Sequence, residues 1–364
     1  MRIANQFCRN LSQFTKNYGY FPKNWNFYYL CNRHEPIKRD HCEMITNTGL
    51  NEVKEIMDYL DKTPYCVTRK ALYNANELYE GFKIDDEDSY GNCFDGKVYQ
   101  YYQFTGMQET SVYESLARSL HDHGIHAALR EFMGEYDPQR WVGVMGGHAL
   151  PRTVEMYPEI AALSKKLTEK GFIMLSGGGP GAMEATHLGA WMAGRTSEEL
   201  DEAIAMLTPT PSFKDKGWLC SAFRVMKKFP QERYVSLGIP TWLYGHEPST
   251  PFATHIAKFF DNSVREDSIL TLAYGGLVYT PGSAGTMQEI FQEAVQNHYL
   301  SFGFASPMIF LGKEYWSTEM PVYPLLEQLM KTGKYQNLLL TITDDLDEVV
   351  DVLVNFSKEK KPQR

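Results

Sequence analysis

Cysteine is scarce in this chain, six among 364 residues, and the six show no framework spacing. That excludes a disulfide-stapled secreted scaffold and predicts free thiols in a reducing compartment. No apolar run reaches the roughly 18 residues that a membrane span needs, so neither a transmembrane helix nor a membrane partner is expected. The opening stretch MRIANQFCRNLSQF has no apolar core; no signal peptide is read, and the expected location is the cytoplasm. Positive charge is also short. Lys and Arg number 36 against 45 Asp and Glu, a formal charge of −9, which disfavours a nucleic-acid partner.

Metal ligands are equally thin. Cys31, His34, His41 and Cys42 are the one set that suggests zinc, but His41 and Cys42 are adjacent and would strain a tetrahedral shell. The acidic run DDEDSYGN, residues 85–92, lacks the Glu at loop position twelve of a calcium-binding EF-hand, and a solvated turn is expected. Neither a metal nor a cofactor is expected.

What is present divides by composition. Residues 1–130 are rich in Tyr, Phe, Asn and charge, with helix-periodic pieces such as TSVYESLARSLHDHGIHAALREFM, and they are read as a mostly helical region without a catalytic motif. From RWVGVMGG onward short apolar runs alternate with helical stretches: Trp141–Met145, Phe172–Leu175, Tyr234–Ile239, Leu277–Thr280, Met308–Leu311 and Leu338–Ile342. The segment FATHIAKFFDNSVREDSILTLAYG is among those read as helical. This alternation predicts an α/β domain over residues 131–356, a Rossmann-like doubly wound parallel sheet with helices on both faces. Residues 195–232 are too long for an ordinary connection and predict a helical insertion; 357–364 form a basic tail.

In such a sheet, ligands bind beyond the carboxyl ends of the strands. Two glycine loops fall there and lead into helices. Gly177, Gly178, Gly179 and Gly181 follow one strand; Gly282, Ser283, Ala284, Gly285 and Thr286 follow another. Small residues let backbone N–H groups converge, and the helix they open presents its positive end, a combination that attracts phosphate. Gly146 and Gly147, with His148 and Arg152, lie after the first strand of the domain, and GHEPSTPF, residues 245–252, makes a fourth loop. The dinucleotide fingerprint G-x-G-x-x-G is missing after the first strand, and no G-x-x-x-x-G-K-S/T occurs. A nicotinamide-dependent oxidoreductase and a P-loop hydrolase are therefore disfavoured.

Thr286 and Glu289 carry the spacing of a capping box, so on spacing alone Glu289 reaches back to the helix start. Glu184, in the first turn of its helix, offsets the helix dipole or reaches a ribose.

PGSAGTMQE, residues 281–289, resembles the P-G-G-x-G-T-x-x-E signature of the Lonely Guy (LOG), or lysine-decarboxylase-like, family. GGGPGAMEA, residues 177–185, resembles that family's first glycine loop, nearest to its form in the long bacterial nucleotide 5′-monophosphate nucleosidases, and HEPSTP resembles a third element of those members. The likeness covers about residues 138–355; Ser283 departs from the second Gly of the signature. It implies hydrolysis of the N-glycosidic bond of a nucleoside 5′-monophosphate to free base and ribose 5-phosphate, with Glu289 catalytic. Arg265, sixteen residues before Pro281, corresponds to the family's catalytic Arg. A homodimer or higher even oligomer is implied as well. A non-catalytic nucleotide sensor on the same fold is the alternative.

Overall fold

The computed structural model describes residues 53–107 and 111–359. The zinc candidates Cys31, His34, His41 and Cys42 lie outside the described residues, as do residues 360–364 of the tail. Among the described residues no group of three or more His, Cys, Asp or Glu is placed to hold a metal, and Cys66, Cys93 and Cys220 are free thiols.

The chain packs as two units, residues 1–63 and 64–364. In the first, the described stretch 53–60 is helical. The second contains a seven-stranded sheet, all parallel, in the order β4-β3-β2-β1-β5-β6-β7. The strands are β1 (Trp141–Met145), β2 (Ile173–Ser176), β3 (Ser236–Gly238), β4 (His255–Ile256), β5 (Gly276–Tyr279), β6 (Pro307–Leu311) and β7 (Leu339–Thr343). β1, β2, β3, β5 and β6 are buried along their whole length, which explains why they read as continuous apolar runs rather than alternating ones.

The helices are α1 (Phe94–Thr105), α2 (Val112–Met133), α3 (Met156–Glu169), α4 (Ala182–Trp191), α5 (Ser197–Leu207), α6 (Trp218–Lys228), α7 (Asn262–Leu272), α8 (Ala284–Tyr299), α9 (Val322–Lys331) and α10 (Leu346–Lys358). A further single turn spans Ala75–Leu78. α3 packs on α4 and α10, burying Ile160, Leu163, Leu188, Val349 and Leu353 with Val142 and Val144 of β1. α7 packs on α8 and against β1.

One expectation fails here. Residues 252–261 are not helical: they carry the short strand β4, and the helix begins only after Asp261, whose side chain accepts from the N–H groups of Ser263 and Val264. The acidic run is exposed as expected, Asp85 at 90% and Asp88 at 77%, and it also makes tertiary contacts. Glu87 accepts from the N–H groups of Leu219 and Cys220, capping α6, which has no side-chain cap of its own, while Asp85 pairs with Arg224 and Asp88 with Lys216. The insertion itself is the α5–α6 pair, and α5 opens on a complete capping box of Thr196 and Glu199.

Residues 64–133 belong to the unit that holds the sheet. The Asp122 carboxylate, on α2, accepts from the N–H groups of Phe260 and Asp261, and Tyr73 exchanges backbone hydrogen bonds with Ile256 of β4. The region thereby covers the sheet edge at β4.

Candidate active site

β1 is flanked by β2 and β5, so successive strands run outward in opposite directions from the β1–β5 pair. The loops leaving β1 and β5 separate there and open a crevice. Its floor is tied together: Gly147 N–H donates to Pro281 O at 3.1 Å, and Ala182 N–H donates to Gly147 O at 3.1 Å. Above it is a cleft of about 280 Å³, lined among others by Gly146, Gly147, His148, Arg265, Ser283, Gly285, Thr286 and Glu289.

α8 starts at Ala284 with Ser283 as N-cap, and no side chain caps that end. The first intrahelical bond is Met287 N–H to Ser283 O, which leaves the N–H groups of Ala284, Gly285 and Thr286 without intrahelical acceptors. Glu289 is therefore the sixth residue of the helix and makes no capping bond to Thr286; the capping-box expectation is corrected. Its carboxylate faces the cleft instead, where burial pushes its pKa up to about 7. Arg265 opposes that rise and Glu266 adds to it.

Arg265 reaches the same cleft from the first turn of α7. Its Nε donates to Ile239 O at 2.8 Å, and Nη2 lies 3.5 Å from Gly177 O. Burial lowers the guanidinium pKa, with Glu289 the largest charge acting against it. Arg265 and Glu289 form no direct ion pair among the described residues. Nor does Arg265 pair with Glu266, which accepts from Asn262 Nδ2 at 2.6 Å and Gln288 Nε2 at 2.9 Å.

The first glycine loop lies under the cleft. A Cβ on Gly177 would fall 2.2 Å from Arg265 Nη2, so glycine here is what lets the guanidinium lie on the backbone. Gly181 has φ +69°, and a Cβ there would fall 2.4 Å from Gly147 O. Gly178 packs on Gly238 and Pro240, and Gly179 beneath Met183. None of these four lines the opening. Gly282 packs its backbone against Thr286, and its carbonyl accepts from Tyr315 O–H.

Glu184 and Arg152 are not brought into the cleft. Both are fully buried, paired by two hydrogen bonds at 2.8 and 2.5 Å, and Tyr157 O–H donates to the same carboxylate at 2.9 Å. Arg152 also donates to Thr210 and Ser221 of the insertion, so the pair joins α4 to α5–α6.

The fourth loop contributes residues that sequence reasoning did not single out. Tyr244 and Glu247 line the cleft, together with Met183, Gln288 and Gln292. Residues 242–250 are held from behind by α1. Asp95, on α1, is paired with Lys258 at 2.6 Å, and both are buried. The same Asp95 oxygen accepts from Trp242 Nε1 at 3.0 Å, while Lys258 donates to Ser249 Oγ at 3.0 Å. Tyr79 O–H donates to Ser249 O. The sequence signals for Glu247 were its place after a strand end and within the HEPSTP stretch; Asp95 and Lys258, 163 residues apart, gave none.

No protein-family model matches the chain, and comparison with curated proteins gives no match. Solved structures with a related arrangement include the structural-genomics protein TM1055, 19% identical over 59% of this chain and 98% of that one, with a TM-score of 0.38. The molybdenum cofactor binding protein of the phototrophic bacterium Rippkaea orientalis is 14% identical over 59% of this chain and 95% of its own, TM-score 0.37. The Chlamydomonas rheinhardtii Moco carrier protein is 17% identical over 60% and 98%, TM-score 0.36. At such values the α/β, Rossmann-like assignment stands on the seven parallel strands themselves and on helices packed over both faces.

Proposed function

We propose that the chain is a nucleoside 5′-monophosphate phosphoribohydrolase, an N-glycosidase that releases free base and ribose 5-phosphate. One observation carries the reading. Arg265 and Glu289 come from different helices into one cleft at the uncapped N-terminus of α8, beside the crevice between β1 and β5.

The 5′-phosphate sits at the N–H groups of Gly285 and Thr286, where the helix dipole favours an anion. Gly146, Gly147 and Ser283 border that seat. The ribose then lies over Glu289. As the C1′–N bond breaks, its electrons leave with the base and C1′ becomes cation-like. Glu289 stabilises that charge, takes a proton from the water whose oxygen bonds to C1′, and that proton is returned through solvent to the departed base nitrogen, so the base is released neutral and Glu289 is restored. Arg265, held on Ile239 O, faces the departing base or the phosphate as a fixed cation.

The chain is further proposed to act in the cytoplasm and to assemble as a dimer or higher even oligomer. Apolar side chains stand at the surface, among them Phe104 at 89%, Val112 at 81% and Tyr299 at 73% exposed. Light scattering at micromolar concentration is expected to give at least twice the mass of one chain; a monomer alone contradicts this part. Chromatography of bases released from AMP, GMP, CMP, UMP, IMP and N6-isopentenyl AMP tests the activity. Tight binding without release of any base would favour a nucleotide sensor instead.

A further inference from the structure

Three carboxylates line the cleft: Glu247, Glu266 and Glu289. Glu266 has its donors in Asn262 and Gln288, and Glu289 has a task in the proposed chemistry. Glu247 has neither. Its side chain is 17% exposed, yet its carboxylate accepts no hydrogen bond among the described residues. The imidazoles of His148 and His246 each stand 3.7 Å from it, beyond hydrogen-bond length. Its oxygens lie in the cleft wall, so their lone pairs stay open to a donor that enters the cleft.

The loop that carries Glu247 is held at both ends. Trp242 and Ser249, at the two ends of its loop, are both bonded to the buried Asp95–Lys258 pair. Gly245 rests on the Tyr99 ring of α1, where an added Cβ would fall 2.2 Å from a ring carbon. A Cβ on Gly179 would stand 4.0 Å from Glu247 Oε2, which puts this carboxylate over the β2 loop rather than at the α8 N-terminus. Tyr244, 43% exposed, precedes the same loop and also lines the cleft, where an aromatic ring can stack on a base.

We propose that Glu247 is a specificity-determining residue that accepts hydrogen bonds from the N–H edge of the substrate's base, while Tyr244 stacks on the base. The inference rests on reading the cleft as a nucleotide site. With the phosphate at α8, repulsion keeps it away from Glu247, and a donor group must face the carboxylate. Guanine fits best. Its ring N–H and adjacent exocyclic amine present two neighbouring donors to two carboxylate oxygens. Adenine and cytosine offer an amine beside a ring acceptor, and hypoxanthine a single ring N–H.

The test compares wild type with Glu247→Gln on GMP, AMP, IMP and 2′-deoxy-GMP, following base release and, by calorimetry, binding. Gln keeps the volume, and Glu247 makes no hydrogen bond that the fold needs, so the melting temperature should hold. Wild type should favour GMP, and the variant should lose about 10- to 100-fold on GMP relative to AMP, the scale for leaving buried donors unpaired. Equal losses on all four nucleotides overturn the assignment. A wild-type preference governed by the 2′-hydroxyl rather than by the base overturns it too and moves Glu247 to the ribose. Glu247-dependent GMP binding without base release sinks the hydrolase reading and leaves this one standing. If wild type binds no nucleotide at all, both fall.

Discussion

Asp95 and Lys258, both buried, meet at 2.6 Å and hold the cleft loop from behind. Such a pair is a weak source of net stability but is damaging to break, because the survivor is left charged in a medium that cannot solvate it. Asp95→Asn is expected to cost about 3–5 kcal/mol in denaturant unfolding. The double change Asp95→Asn with Lys258→Met should recover much of that loss. Additive costs would show that the two residues are not coupled.

A second expectation concerns the phosphate. If the open N–H groups of α8 seat it, adenosine should be a far poorer substrate than AMP, by several-fold to a thousand-fold, since charge-assisted contacts are lost and donors left unpaired. Matched turnover of adenosine and AMP would remove the phosphate seat from the account.

A third follows from burial of carboxyls on α8. Glu293, four residues beyond Glu289, is buried; Ser306 O–H donates to its Oε1 at 2.5 Å, and Oε2 has no partner. Burial pushes its pKa, like that of Glu289, up to about 7. Between the ordinary carboxylate value near 4.5 and this raised one, the folded chain holds a proton that the unfolded chain has released. Stability from Glu293 is thus full below that window and declines as pH rises to about 7, by roughly 2–4 kcal/mol in total. Thermal melts of wild type should fall from pH 5 to pH 8, and Glu293→Gln should flatten the slope. An unchanged slope in the variant would assign the dependence elsewhere.

Much of the framework was legible because burial on two faces leaves a plain trace. The run Trp141–Met145 is β1, and the strands around Leu175, Tyr279 and Phe310 differ from their apolar runs by a residue or so. β4 was not legible: two residues, His255 and Ile256, carry no periodicity, and the apolar spacing of their neighbours mimics a helix. The Thr-x-x-Glu spacing misled at Thr286 because the helix had already begun at Ala284, whereas the same spacing at Thr196 and Glu199 does form a box. Glu184 was read from its place in the first helical turn as offsetting the dipole or reaching a ribose, but its pairing with buried Arg152 holds it in the core. The loop that presents Glu247 depends on Asp95, a pairing that only the folded chain brings together.

The most direct test of the central claim is base release by Glu289→Gln beside wild type, at saturating AMP or GMP, with melting temperature and nucleotide binding measured on the same samples. Glu289 caps nothing in the helix, and Gln preserves its size, so fold and binding should survive. What is lost is the negative charge under the ribose. Turnover is predicted to fall by about 10²–10⁴-fold, the scale of a positioned base or charge stabiliser. Turnover within a few-fold of wild type, in a variant that still folds and binds, would contradict the account and take Glu289 out of the mechanism.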